Sequence, residues 1–398
     1  MGKVDQTAGE AAIGRRLPSP AAGYPETTMP DPQELLRPVQ TSVVRRLRFS
    51  TDRVLRRRFQ LTDEPVRSNL RAGLLLEVLD KLAEETALRY VRHWHPEARV
   101  VTAAMDSMRV RSVPDETRDM ILRARVNLVG RTSMEVGVRI EQPESAEASA
   151  GNAVSHIASC YFTMVGRMRE ANGEEHSVPL PPLDCRGKLD CDRAGRARAR
   201  REAYRQHLSA AEEPPSREEY DLLRRLHEAQ EQSGFSGQLA GRLVAEGWER
   251  TYPEQENVPQ TIFGGYVAHR ALMYAHICSE MVASDRALLV SVDRINFYHP
   301  VRMGDKLHFV SRVTYTGNTS IAVETSITRI SRDRTSTALS NVCTFTFANV
   351  DANLCRLPVP QIYPTTYAED ARYLAAYRRR KAHLAIRAPA GARQSESR

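Results

Sequence analysis

Two kinds of hydrophobic pattern alternate along the chain, and each kind occurs twice. Long apolar stretches with helical spacing begin at residues 72 and 264, with the sequences "AGLLLEVLDKLAEETALRYV" and "GGYVAHRALMYAHICSEMV". Each is followed by segments in which apolar and polar residues alternate, such as "MILRARVNLVG" and "KLHFVSRVTYTG". Such alternation is typical of antiparallel strands with one buried face. The pattern predicts one long helix followed by several strands in each half.

The two halves also repeat each other in sequence. The stretch "VGRTSMEV" at 129–136 matches "TGNTSIAV" at 316–323, and Asp106 precedes the first as far as Asp293 precedes the second. A repeat of this kind indicates an internal duplication. Because both long helices are apolar nearly all round, each must be enclosed by other elements. We therefore predict an α+β fold in which an antiparallel sheet wraps one helix, twice in one chain.

The chain divides into five predicted segments. In order, they are a disordered or extended N-terminal tail (1–39), a first domain (40–170), a linker with charged helices (171–243), a second domain (244–352) and a basic C-terminal extension (353–398). Within the linker, Ser216 and Glu219 have the spacing of a helix capping box. The stretch "RAGRARARREAYRQHLSAAEE" is so polar that we expect it to be exposed.

Composition and charge narrow the functional classes. The chain has 398 residues, 41% of them hydrophobic, and no apolar run approaches the ~20 residues that a membrane-spanning helix needs. The net charge of +8 is concentrated in three arginine-rich segments, at 42–72, 186–205 and 372–387. Clustered positive charge indicates either an anionic partner such as nucleic acid, anionic lipid or a polyphosphate, or simply solvated helix faces and tails.

The sequence contains no recognisable cofactor or metal motif. The six cysteines are scattered without zinc-type spacing, which favours a reducing compartment over secretion. His93 and His95 have no accompanying cluster of metal-binding residues in the sequence. We also find no P-loop, dinucleotide fingerprint or serine nucleophile elbow. We therefore predict a protein without cofactor or metal.

Several motifs taken together resemble the double-hotdog acyl-CoA thioesterases, in particular the mitochondrial acyl-CoA thioesterase nine-type branch. They are "RPVQTS…FSTD", "GLLLEVLD", "VGRTSMEV", "IFGGY" and "VSVDRINFYHPVRMGD", and the resemblance covers about residues 38–170 and 245–350. It implies tandem hotdog domains that hydrolyse fatty acyl-CoA to free acid and CoA. It further implies a mitochondrial (matrix) location, with the cytoplasm as the alternative, and a homo-oligomer formed through the hotdog sheets.

The resemblance also implies an active site shared between the two halves. An Asn in the loop before one helix corresponds to Asn257, an Asp within the other helix to Asp80, and a Gly-Gly helix start to Gly264 and Gly265. Backbone N–H groups at a helix start can stabilise the oxyanion of a thioester undergoing hydrolysis. The carboxylate can act as general base or as nucleophile, and the amide can orient water or carbonyl. The sequence leaves base and nucleophile open.

Two stretches depart from the family pattern. Glu84 and Glu85 lie one turn beyond Asp80, where they can raise its pKa or obstruct the acyl slot. Pro259 and Gln260 precede the two glycines where His or Asn is more usual. These departures leave a second hypothesis: a weakly active or inactive hotdog scaffold in a mitochondrial ribonucleoprotein assembly, contacting RNA or proteins through the three arginine-rich segments.

Overall fold

The computed structural model describes residues 34–64, 66–144, 154–170, 173–211, 213–258 and 261–387. The predicted N-terminal tail therefore lies almost wholly outside the described residues, as do Pro259, Gln260 and the end of the C-terminal extension from residue 388. No helix in the described ranges is both long and apolar enough to cross a membrane.

Each half contains one long helix and a set of strands, as the hydrophobic pattern predicts. The elements of the first half are β1 (Val43–Leu47), α1 (Arg53–Phe59), α2 (Ala72–Trp94), β2 (Arg99–Val110), β3 (Met120–Val129), β4 (Ser133–Pro143), β5 (Val154–Arg169) and β6 (Glu175–Ser177). The connecting region contains α3 (Lys188–Ala211), α4 (Arg217–Gln230) and β7 (Gln238–Leu239).

The second half has the same central order, with one strand, one long helix and four further long strands, and adds short strands and a terminal helix. Its elements are β8 (Val244–Arg250), β9 (Glu256–Val258), β10 (Thr261–Ile262), α5 (Gly264–Glu280), β11 (Arg286–Val292), β12 (Ile295–Asn296), β13 (Lys306–Thr316), β14 (Ser320–Ile330), β15 (Thr337–Val350), β16 (Ile362–Tyr363) and α6 (Tyr367–Arg387).

The long strands of both halves form one continuous sheet, whereas β9 with β10 and β7 with β16 form two small separate sheets. The order of the long strands is β1-β3-β4-β5-β2-β11-β15-β14-β13-β8, so the second half follows the first in mirror order. The halves join where β2 pairs with β11 in antiparallel fashion, with Val292 opposite Met108. Helix α2 contacts β1 to β5, and α5 contacts β8, β11 and β13 to β15. This arrangement confirms the predicted α+β tandem hotdog fold.

Burial of most of its surface explains the composition of α2. The fully buried residues include Leu76, Leu79, Leu82, Ala87 and Tyr90. The enclosure is incomplete, because one face of the helix carries exposed charged residues: Lys81, Glu85, Arg89 and Arg92. One side of α2 faces the sheet and another faces α5. Each large apolar side chain buried in this way contributes about 1.5–3 kcal/mol. The apolar sequence of the helix is therefore the consequence of its enclosure.

The connecting helices follow the sequence prediction in part. Helix α4 begins with the predicted capping box, because Ser216 N–H donates to Glu219 Oε2 at 2.8 Å and Glu219 N–H donates to Ser216 Oγ at 3.3 Å. The expectation that the polar stretch of α3 is exposed is wrong on one face. Ala194 and Ala197 are buried, and Arg200 lies over the Tyr161 ring. Long arginine side chains can cover a sheet while keeping their charged ends in polar surroundings.

Candidate active site

The carboxylate of Asp80 lies where the two long helices meet. It is on α2, and the residue is only 3% exposed. Its Oδ1 accepts a hydrogen bond from Thr102 Oγ1 on β2 at 2.8 Å, and its Oδ2 accepts one from the Gly265 backbone N–H on α5 at 2.7 Å. The first half of the chain therefore supplies the acid, and the second half supplies one of the donors that hold it.

The start of α5 leaves its backbone donors available. Phe263, the residue before the helix, has extended backbone and makes no side-chain cap. The first N–H groups of a helix have no partner within the helix, and its dipole favours negative charge there. Asp80 takes the place of a capping residue by accepting from Gly265. Lys81 lies against the same helix start, with Nζ 4.7 Å from the centre of the Phe263 ring.

Both glycines at this helix start are required by close packing. A Cβ on Gly265 would lie 2.8 Å from Asp80 Cβ and 2.9 Å from Glu77 Cα, closer than real side chains approach. A Cβ on Gly264 would lie 2.7 Å from the Phe297 ring. Glycine therefore lets the start of α5 approach α2 closely enough for the Gly265–Asp80 hydrogen bond to form.

The environment of Asp80 disfavours its charged form. Burial raises the pKa of the Asp80 carboxyl above its ordinary value, and the hydrogen bonds from Thr102 and Gly265 offset this only in part. The charge of Lys81 also lowers this pKa, whereas the nearby carboxylate of Glu77 raises it. Glu77 is an acidic neighbour that the sequence analysis did not single out.

Glu84 and Glu85 line a neighbouring cavity beside α2. This cavity measures about 460 Å³ and is also lined by Lys81, Arg89 and Arg92. Glu85 is paired with Arg45 of β1, with Arg45 Nη2 2.7 Å from Glu85 Oε2. The two acids that follow Asp80 therefore lie on the same face of α2 as several cations.

Asn257 is only partly described. Its backbone lies in β9, which pairs with β10 just before α5. Its side chain lies outside the described part of the chain, as do Pro259 and Gln260. The position of its amide relative to Asp80 is therefore not described, and the role of Asn257 stays a prediction.

Sequence reasoning missed three residues of this site. Thr102 binds Asp80, and Glu77 pairs with His269 at 2.7 Å between Oε1 and Nδ1. Glu77 follows Gly73 of α2 at the spacing by which His269 follows Gly265 of α5. The pair thus joins equivalent positions of the two halves where the helices cross. Aligning the helix starts would have found this pair, whereas Thr102 carries no such signal.

The described residues contain no group of three or more His, Cys, Asp or Glu side chains that could hold a metal ion. Within these residues the arrangement is a buried, oriented carboxylate beside a helix start. Such a site can accept a proton or attack a carbonyl, and it can stabilise negative charge at the helix end.

Comparisons with known proteins place this geometry in a family. A family model described as thioesterase superfamily matches residues 260–335. Human mitochondrial acyl-coenzyme A thioesterase 9 is 27% identical over 328 residues, which are 78% of this chain and 71% of that protein. Protein VdlD of Helicobacter pylori is 30% identical over 131 residues, covering 32% of this chain and 74% of that protein.

Among solved structures, an acyl-CoA hydrolase of Staphylococcus aureus has 24% identity and a TM-score of 0.36, over 38% of this chain and 93% of that chain. The curated relatives, together with the duplicated fold, identify the protein's family. The chain belongs to the double-hotdog acyl-CoA thioesterases.

Proposed function

We propose that this protein hydrolyses fatty acyl-CoA, with water, to the free acid and CoA, and that Asp80 carries the reaction. The observation that supports the assignment of the site is the hydrogen bond from Gly265 N–H to the buried Asp80 carboxylate across the two halves. It brings together the acid and the helix start that thioester hydrolysis needs. The names of the curated relatives supply the substrate class.

Asp80 acts in its ionised form in this proposal. As a general base it takes a proton from water while the water oxygen attacks the thioester carbonyl. The tetrahedral intermediate then expels CoA thiolate, which is protonated to the thiol. As a nucleophile it forms an acid anhydride that water then hydrolyses. Thr102 and Gly265 bind one carboxylate oxygen each, which fixes the orientation of the group for either route.

We assign the oxyanion to the start of α5. The N–H of Gly265 is engaged by Asp80, so the neighbouring N–H of Gly264 is the donor we propose for the carbonyl oxygen. The partial positive charge of the helix end adds to it. We propose that Asn257, whose backbone lies in the preceding strand β9, orients the water or the carbonyl.

The cations that follow Asp80 along α2 suit the phosphates of CoA. Lys81, Arg89 and Arg92 line the cavity of about 460 Å³ along α2. Arginine and lysine are common binders of phosphate oxygens. We propose that the CoA moiety lies on this side of α2.

Replacing Thr102 by Val should move the acid limb of the rate–pH profile to higher pH. Hydrolysis needs ionised Asp80, so kcat/KM falls as pH falls through its pKa. The Thr102 hydrogen bond lowers this pKa, so its loss raises the pKa further and shifts the limb upward. The measurement is kcat/KM for one acyl-CoA across the acidic range.

Thr328→Val, at a half-buried strand position of β14, is the matched control and should leave the limb unchanged. An acid limb at the same pH in Thr102→Val and wild type would show that the Asp80–Thr102 hydrogen bond does not control the ionisation that limits the rate.

The scaffold alternative finds no supporting observation. Several cations of the arginine-rich segments pair with acids of the same chain: Arg45 with Glu85, Arg57 with Asp63, Arg200 with Glu135, Arg378 with Glu219 and Lys381 with Glu218. These pairs account for part of the clustered charge without RNA.

The names of the curated relatives support a mitochondrial location. We propose the matrix as the compartment. We also propose a homo-oligomer formed through the hotdog sheets.

A further inference from the structure

The duplication places a second position, equivalent to that of Asp80, on the other side of the crossing of α2 and α5, and this position lacks the acid. Leu272 lies as far after Gly265 as Asp80 lies after Gly73, so Leu272 is the counterpart of Asp80. Leu289 of β11 is the counterpart of Thr102 of β2, because it lies as far before Asp293 as Thr102 lies before Asp106. Both strands also have a register shift directly after this position. The hydrogen-bonded pair of Asp80 and Thr102 is therefore replaced by two leucines at this second position.

A large apolar cavity lies at this second position. It measures about 480 Å³ and is lined by Gly73, Leu272, Leu289, Ile277 and Phe347, among others. Binding sites for small molecules typically measure ~300–1,000 Å³ and are mostly apolar. Ile277 is 47% exposed and is one of several large apolar side chains on this surface. Contiguous exposed apolar surface of this kind marks a ligand site.

The acids and the arginines that line the cavity differ in their exposure to solvent. Its acids, Glu64, Glu280 and Asp285, are exposed, whereas Arg71 and Arg286 are half-buried. The Nη1 atom of Arg286 is buried and has no hydrogen-bond partner in the described part of the chain. Its Nη2 donates to the Arg67 carbonyl at 2.9 Å, which holds the guanidinium at the cavity lining. Among the charged residues named, the less exposed ones are therefore cations, and these favour an anionic or carbonyl group in a ligand.

We propose that this cavity holds a fatty acyl chain that is not hydrolysed there. The hydrocarbon would contact Leu272, Ile277 and Leu289, and the carboxylate or thioester end would lie toward Arg286. Leucine at the position of Asp80 can neither take a proton from water nor attack a carbonyl. The ligand is a long alkyl chain with an oxygen-bearing end, supplied either as free fatty acid or as acyl-CoA. The proposal depends on the cavity and not on catalysis at Asp80.

Equilibrium binding of lauric acid to the full-length protein tests this site. We expect a saturable lauric acid site that CoA does not displace, in wild type and Asp80→Asn alike. Ile277→Trp fills the cavity from its solvent side, so it should weaken lauric acid binding about tenfold or more, a loss of about 1.4 kcal/mol. Leu384→Trp, at an exposed position of α6, is the matched control and should bind as wild type does.

Two further measurements identify the source of the alkyl chain. They also separate failure of this proposal from failure of the proposed function. Lauroyl-CoA added to Asp80→Asn should displace lauric acid if the cavity also accepts the thioester, and CoA without an acyl chain should not displace it. Ile277→Trp should keep the wild-type rate of lauroyl-CoA hydrolysis, which also shows that it folds. Lauric acid binding that Ile277→Trp leaves unchanged, or no binding by wild type, would overturn the proposal. Displacement by CoA would place the ligand elsewhere and overturn it too.

Discussion

Asp80→Asn is expected to lower kcat for acyl-CoA hydrolysis by about 10²–10⁴-fold, the usual contribution of a general base. Asparagine keeps an oxygen that can accept from Gly265 N–H, and its amide can still hydrogen-bond Thr102. It cannot take a proton or act as a carboxylate nucleophile. Release of the CoA thiol at saturating acyl-CoA measures the effect. Asp285→Asn, at an exposed position, is the control and should retain the wild-type rate.

The same variant should become more stable relative to wild type as the pH rises. Burial raises the pKa of Asp80 in the folded state above its unfolded value. Its stabilising contribution is therefore complete below the unfolded pKa and is lost as pH rises through the folded pKa. Asparagine does not ionise, so the difference in free energy of unfolding between Asp80→Asn and wild type should shift in favour of the variant from acidic to neutral pH. Urea unfolding at both pH values measures it.

A difference that does not change with pH would show that Asp80 is not held against ionisation by its surroundings. Loss of hydrolysis together with this gain in stability would be the signature of a group placed for function at a cost to folding.

Gly265→Ala is expected to reduce the free energy of unfolding by about 1–3 kcal/mol, the usual cost of overpacking a close contact, and to remove most hydrolysis. The added methyl would overlap the Cβ of Asp80 and the backbone of Glu77. Backbone atoms cannot move aside as a flexible side chain can, so α5 must shift away from α2. The Gly265–Asp80 hydrogen bond would then lengthen. Urea unfolding and CoA release measure the two effects.

Gly195→Ala provides the matched control within helix α3. A Cβ there meets no atom within 4 Å, so we expect a gain of about 0.5–1 kcal/mol from the lower entropy of the unfolded chain, and unchanged hydrolysis. Equal stability and activity in Gly265→Ala and Gly195→Ala would contradict the close approach of the two helices.

Much of the fold could be predicted because its signals are local. The period of the apolar residues identified both long helices, and alternation identified the strands β3 and β13. The repeat around Gly130 and Gly317 then showed that one architecture occurs twice. The antiparallel sheet follows from these observations, since two enclosed helices need strands around them.

The contacts of the site were harder to predict because they depend on how distant elements align. Asp80 and Gly265 could be paired through the family resemblance, although the sequence did not show that the Gly265 N–H binds the carboxylate. Thr102 reaches Asp80 only because of the register of β2, which shifts directly after it. A shift of one residue would turn its side chain to the other face. No local pattern specifies that register.

Composition was misleading for helix α3. Its polar sequence predicted an exposed helix, yet Arg200 pairs with Glu135 at 2.5 Å and covers the outer face of the sheet. Helix α6 does the same in the second half, where Arg380 donates to Ser320 as Arg201 donates to Ser133. The appended helices therefore repeat as well, although their sequences show little of it. The hydrophobic pattern does not reveal this similarity, because long charged side chains bury their aliphatic part while their charged group stays in polar surroundings.

The central claim is that only one of the two equivalent positions beside the crossing of α2 and α5 hydrolyses acyl-CoA, and that Asp80 distinguishes it. The most direct measurement compares lauroyl-CoA hydrolysis by wild type, Asp80→Asn and Leu272→Met. Leu272 is the counterpart of Asp80, and protein cores tolerate exchange of leucine for methionine well. We predict near-wild-type CoA release by Leu272→Met and a loss of about 10²-fold or more in Asp80→Asn. Equal release by wild type and Asp80→Asn would contradict the claim.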